Sequence, residues 1–193
     1  MDFRRLDARN VQWSDPVARG AATTRTSAAT YRGQGGKIVV QTPTCEALID
    51  ADPKLRGGLA VSLTLDDRDP VHAAFAAFVS DCEDSVRASP WAQGLRVYGA
   101  GEHRFVAWSD ALWFDVDGTV IAPPASGTLT TCACLVELQG AWATAMSCGL
   151  KIKVLQVRLA PGKLPSPLPA DDRPPPAPVP VPEPMNTAYG FVE

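Results

Sequence analysis

Residues 150–159 read LKIKVLQVRL, and the alternation in this stretch decides what kind of fold the chain builds. Leu150, Ile152 and Val154 share one face of a strand while Lys151 and Lys153 take the other; Leu155, Val157 and Leu159 then share a face opposite Gln156 and Arg158. The inward parity changes between Val154 and Leu155. Either a bulge there keeps Lys151, Lys153, Gln156 and Arg158 on one polar face, or both faces of the second half are buried.

Working outward, CACLVELQ (132–139) is the strand candidate that precedes it, across the loop GAWATAMSCG. Further upstream lie the short candidates RFVAW (104–108), ALWFDV (111–116) and TVIA (119–122), the last entered through the Asp117-Gly118 turn. LAVSLTL (59–65) alternates strictly, with Leu59, Val61, Leu63 and Leu65 on one face, and KIVVQT (37–42) is a β-branched run ended by Pro43. One helix is punctuated clearly. Asp69 is a natural N-cap, Pro70 fits the first helical position, and Val71, Phe75, Phe78, Cys82 and Val86 recur at three-to-four spacing until Pro90. Several short strands around a single helix predict a mainly β domain, closed as a small barrel or sandwich.

The chain divides into a polar, basic and partly irregular segment (1–36), a β-rich domain (37–160) with its helix at about 70–87, and a Pro-rich acidic tail (161–193). Eleven of the 18 prolines fall between Pro161 and Pro184, a composition that favours an extended polyproline II arm. Tyr189 and Phe191 near the end of that arm are candidate partner-docking residues. A length of 193 residues with 46% hydrophobic and 20% charged residues suits one well-buried core. No apolar run approaches the ~18 residues that cross a bilayer, and no signal-peptide core is visible, so a soluble protein with no membrane partner is expected.

The net charge of −3 hides a partition. Residues 165–193 carry one base (Arg173) against four acids (Asp171, Asp172, Glu183, Glu193), which accounts for the whole of it. Residues 1–37 carry Arg4, Arg5, Arg9, Arg19, Arg25, Arg32 and Lys37 against only Asp2, Asp7 and Asp15, and residues 138–164 carry Lys151, Lys153, Arg158 and Lys163 with no acid. Segregated charge of this kind suits a polyanionic ligand, the alternative being ordinary solvated surface.

Motifs for catalysis are missing. His72 and His103 have no Cys or His at ligand spacing, and the five cysteines include a C-x-C pair (Cys132, Cys134) that shares a strand face, so neither metal nor cofactor is expected and reduced thiols are. The acids of LDDRD (65–69) sit where a helix N-terminus wants negative charge. GQGGK (33–37) departs from a phosphate-binding loop because Ile38 stands at the Ser/Thr position and a strand follows. The expectation is a protein that is not an enzyme. Bases instead accompany aromatics: Tyr31 with Arg32 and Lys37, Trp142 with Lys151 and Lys153, and Trp91, Tyr98, Phe105, Trp108 and Trp113 between. Single-stranded nucleic acid is held by this pairing, cations tracking phosphates while aromatic faces stack on bases, although the same aromatics could fill a core.

KIVVQTP (37–43), the helix VHAAFAAFVSDCEDSV (71–86) and above all CLVELQGAWATAMSCGLKIKVLQVRL (134–159) together resemble a family found in nucleocytoplasmic large DNA viruses. In that family a strand ending in Gln-Thr-Pro comes early, here Gln41, Thr42 and Pro43. A near-terminal pattern follows, here Trp142, Gly149, Lys151, Lys153, Gln156, Val157 and Arg158. The resemblance spans most of residues 10–160. It implies an OB-like barrel and a single-stranded DNA-binding protein similar to phage replication types, acting in viral DNA replication, recombination or repair. It also implies an acidic tail that competes with DNA and docks replication proteins; here the tail is Pro-rich and only mildly acidic. On this reading Arg32, Lys37, Lys151, Lys153, Arg158 and Lys163 contact phosphates and Tyr31, Trp108 and Trp142 stack on bases. The expected location is the host cell interior, in a cytoplasmic viral factory or the nucleus, with packaging in the virion and homo-oligomerisation compatible. The competing expectation is a virion structural protein, a minor capsid or scaffold component whose Pro-rich arm reaches its neighbours.

Overall fold

The structure is a computed structural model that describes residues 3–18, 24–33, 36–51, 57–97 and 103–161; the tail from residue 162 lies outside them. The strands run in chain order as β1 (Val11–Trp13), β2 (Val17–Ala18), β3 (Arg25–Tyr31), β4 (Ile38–Gln41), β5 (Cys45–Ala51), β6 (Leu59–Thr64), β7 (Arg96–Val97), β8 (Arg104–Phe114), β9 (Val120–Ile121), β10 (Thr128–Ala143) and β11 (Ser147–Leu159). The helix α1 (Pro70–Arg87) lies between β6 and β7.

Five of these strands close on themselves. β5 pairs with β6, β6 with β8, β8 in parallel with β11, β11 with β10, and β10 returns to β5. Counted in chain order the ring runs first, second, third, fifth, fourth, first, which is the Greek-key order of an OB-like barrel. The chain is therefore mainly β, with one helix inserted between the second and third barrel strands. Alternating side chains fill the interior: Ala47 and Ile49 of β5, Val61 and Leu63 of β6, Phe105, Ala107 and Trp113 of β8, Cys132, Cys134, Val136 and Leu138 of β10, Val154 and Val157 of β11. All five cysteines are buried and free, and Cys45 faces Cys132 across the β5–β10 ladder.

Strand β10 is long because it serves three partners along one edge. Residues 128–132 pair with β5, 135–138 with β4 and 140–143 with β3. At the last of these contacts Gly140 is obligatory: a Cβ there would lie 1.8 Å from the Ser27 carbonyl oxygen, inside the backbone of β3.

The helix forms where its punctuation places it. Asp69 Oδ1 accepts from the Val71 and His72 amides at 2.7 and 3.4 Å, Pro70 opens the first turn, and Phe75, Phe78, Val79, Cys82 and Val86 make the buried stripe. Val71 belongs to the same spacing but is exposed, since it sits in the first turn beyond the core. Phe75 meets Phe3 and Phe105 edge-on, at 5.3 and 6.3 Å between ring centroids. His72 Nδ1 accepts from the Asp66 amide at 3.0 Å and its Nε2 lies 3.1 Å from the Thr44 carbonyl, so this histidine ties the helix to the β4–β5 turn.

Two expectations are adjusted, and one strand has no counterpart among the sequence candidates. The segment before residue 37 is less irregular than its composition suggests: β3 is a seven-residue strand, and Phe3, Ala8, Val11 and Ala29 belong to the main core. RFVAW and ALWFDV are one strand, β8, interrupted by a bulge. CEALIDA (45–51) is β5, a barrel strand whose helix-forming Glu, Ala and Leu mask the alternation of Cys45, Ala47 and Ile49.

Candidate nucleic-acid interface

The register of β11 resolves the parity change. Val154 pairs with Val136 and Gln156 pairs with Leu135, so Leu155 is an extra residue that bulges out of the ladder. Val154 and Val157 both point inward and are fully buried, and residues directly opposite across a ladder share a face. Lys151, Lys153, Gln156 and Arg158 consequently all lie on the outer face of the barrel. A second bulge, at Gln139, returns β10 to phase so that Gly140 and Trp142 stand opposite Lys151 and Gly149 on that same outer face.

The outer face can be followed across strands. Trp142 lies over Gly149, whose missing Cβ would sit 3.0–3.1 Å from the indole, so glycine gives the ring a flat seat. Lys151 follows one step along, exposed. Lys153 stands between Glu137 of β10 and Val106 of β8, and Gln156 between Leu135 and Leu112. Arg158 stands between Ala133 and Phe114. From Gly149 to Arg158 the strand covers roughly 25–30 Å, enough for a short single strand at the lower end of the ~4–16 nucleotides typical of such barrels.

Two carboxylates interrupt the cations. Four residues of β8, Trp108 to Ala111, stand against the single Leu155 of β11, and this wide bulge carries Asp110 over the strand to Lys153, Oδ2 to Nζ at 2.6 Å. That ammonium holds the Asp110 carboxyl below its ordinary range. Trp108, in the same bulge, is 41% exposed. Glu137 is nearly buried, with Lys37 at 3.6 Å and the Gln139 amide donating to it at 3.1 Å. Lys37 thereby joins the face from the β4 edge.

The remaining sequence-derived candidates divide. Tyr31 and Arg32 belong elsewhere. Tyr31 pairs with Val11, packs against the core and places its Oη 3.3 Å from the Asp7 amide, which donates to it; Arg32 lies over the Tyr31 ring at 5.4 Å and its amide bonds to Asn10. Both take their contacts from the N-terminal segment, away from the β10–β11 hairpin. Trp113 and Phe105 are core, and Trp91 packs against the smaller core cluster. Lys163, Tyr189, Phe191 and the aromatic Tyr98 lie outside the described residues.

Two cations were missed. Arg104 alternates with Phe105 and so shares the outer side with Val106 and Trp108; the R-F-V-A-W pattern carries that signal. Arg96 of β7 pairs in parallel with Ser147 and extends the face toward the tip of the β10–β11 hairpin, a placement no local pattern encodes. Among the described residues no group of three or more His, Cys, Asp or Glu could hold a metal ion.

No family model and no curated protein matches the chain. Among solved structures it is similar to gp2.5, a single-stranded DNA-binding protein encoded by bacteriophage T7, at 17% identity and a TM-score of 0.49, with 65% of this chain and 87% of that chain covered.

Proposed function

We propose that this protein binds single-stranded DNA without catalysing a reaction, and that the outer face of β10, β11 and β8 is where it does so. The observation that carries the reading is the extra residue at Leu155. It keeps Lys151, Lys153 and Arg158 on one side of a strand whose core residues change parity, the same side that seats Trp142. Arg104, Arg96 and Lys37 widen the cationic surface, and Trp108 adds an exposed indole to the half-buried one of Trp142. Phosphates would track the cations and bases would stack on the indoles, the division of labour that makes single-strand binding tolerant of sequence and sensitive to salt.

The viral resemblance of residues 37–43 and 134–159 extends the proposal to a role in replication, recombination or repair of a large DNA virus inside the host cell, with replication proteins docking on the Tyr189–Phe191 end of the tail. The structural-protein alternative depends on the Pro-rich arm, and no feature of the described residues favours it.

The test is fluorescence anisotropy of labelled oligo-dT against the full chain over a range of salt. Binding at low salt is expected, with a log–log slope that falls by about 0.7 for each phosphate contact removed, so Lys151→Gln combined with Arg158→Gln lowers it by about 1.4. Absence of binding at low salt, or a slope indifferent to both substitutions, overturns the assignment.

A further inference from the structure

The centre of the proposed interface is chemically unlike its ends. Arg104 and Lys151 lie toward one end and Arg158 at the other, but the middle presents an ammonium and a carboxylate side by side, Lys153 Nζ and Asp110 Oδ2 at 2.6 Å. The carboxylate is the outermost member of the pair: Asp110 is 64% exposed and Lys153 only 21%. It is delivered by a bulge four residues wide that also displays Trp108. A carboxylate on a phosphate track repels the backbone it lies beneath, so an exposed Asp110 suits another part of the strand better than its phosphates.

We propose, building on the single-strand reading above, that Trp108, Asp110 and Lys153 form a base-reading subsite selective for guanine. An ionised carboxylate offers about four lone-pair sites, of which Lys153 occupies one, and an ammonium has three donors. The pair therefore presents adjacent acceptors beside a donor. Guanine alone among the DNA bases carries the complement on its Watson–Crick edge: N1–H and N2–H donate side by side, and O6 accepts next to them. Cytosine and adenine supply one donor to the carboxylate, and thymine sets its single N–H between two carbonyl oxygens. Unpaired bases are read on this edge while an aromatic or guanidinium plane stacks on their face, and Trp108 supplies the plane.

The experiment measures anisotropy with the full chain and three labelled oligonucleotides of about twelve nucleotides: alternating thymine–guanine, alternating thymine–inosine, and oligo-dT. Wild-type protein is expected to bind the guanine strand about fivefold more tightly than oligo-dT, with inosine, which lacks the 2-amino group, between them. Asp110→Asn is expected to abolish that order while tightening binding to oligo-dT, because a charge competing for Lys153 is gone. Equal wild-type affinity for the guanine and thymine strands overturns the subsite and leaves the interface standing, as does a guanine preference that survives Asp110→Asn. If the wild-type chain binds none of the three at low salt, the interface itself is refuted and the subsite with it.

Discussion

Replacing Gly140 by alanine adds one carbon at the place where β3 crosses closest to β10. That carbon would start 1.8 Å from the Ser27 oxygen, 3.0 Å from its carbonyl carbon and 3.2 Å from the Ala28 Cα, all backbone atoms that no rotamer change can clear. Relief requires β3 to retreat by about 1.7 Å, since non-bonded heavy atoms settle near 3.5 Å. A shift of that size opens the ladder from Ala28–Gly140 to Arg25–Ala143, and β1 and β2 are attached to the barrel through β3. Three or so backbone hydrogen bonds at about 1 kcal/mol net each give a loss of roughly 3 kcal/mol. For a domain of this size that corresponds to a Tm lower by about 10 °C. Thermal unfolding followed by far-ultraviolet circular dichroism measures it, with Gly149→Ala as the contrast. The nearest atoms to the Gly149 carbon all belong to the Trp142 indole, a side chain able to move, so its expected cost is below about 1 kcal/mol. A Gly140→Ala protein that melts within about 3 °C of wild type would refute the close approach.

Other expectations follow from single contacts. Asp69→Ala removes the acceptor for two amides of α1 and should cost about 1 kcal/mol in urea unfolding. Trp142→Ala should weaken oligo-dT binding by roughly tenfold while leaving the salt slope unchanged, because stacking releases no counterions. Burial pushes the Cys45 and Cys82 thiols up to about 12 from an ordinary 9.0. Both stay protonated in the fold while the unfolded chain ionises them. Stability from this source is therefore complete below pH 9 and is lost as pH rises from 9 toward 12, which alkaline unfolding of Cys45→Ala and Cys82→Ala variants would show as a flattened decline.

What the sequence revealed depended on how local the signal was. Asp69, Pro70 and the Phe75–Phe78–Cys82–Val86 spacing state the helix outright, because caps and periodicity act within a few residues. The Leu155 bulge was legible as one of two alternatives, and the burial of Val154 and Val157 selects it. β5 was hidden because Glu46, Ala47 and Leu48 carry helical propensity, and only the pairing with β6 and β10 makes them a strand. Without β5 the ring cannot be closed on paper. On the outer face of the barrel, Lys151, Lys153, Arg158 and Trp142 lie together because one hairpin carries them all. Tyr31 and Arg32 looked equivalent in composition but face the N-terminal segment, and Arg96 reached the face through a two-residue parallel pairing with no sequence signature.

The edge that β10 shares among β5, β4 and β3 has a consequence for how the chain reaches its fold. Ala28 meets Gly140, a partner more than a hundred residues later. On the ribosome, β3, β4 and β5 all emerge within the first third of the protein, and each holds open one edge of amides and carbonyls until residues 128–143 arrive to pair with it. Assembly is then late and non-local, the regime in which folding is slow and unpaired edges meet other chains first. Truncation within β10 would leave an aggregation-prone fragment, and expression trials that pair synthesis rate with solubility should find this strand to be the step that matters.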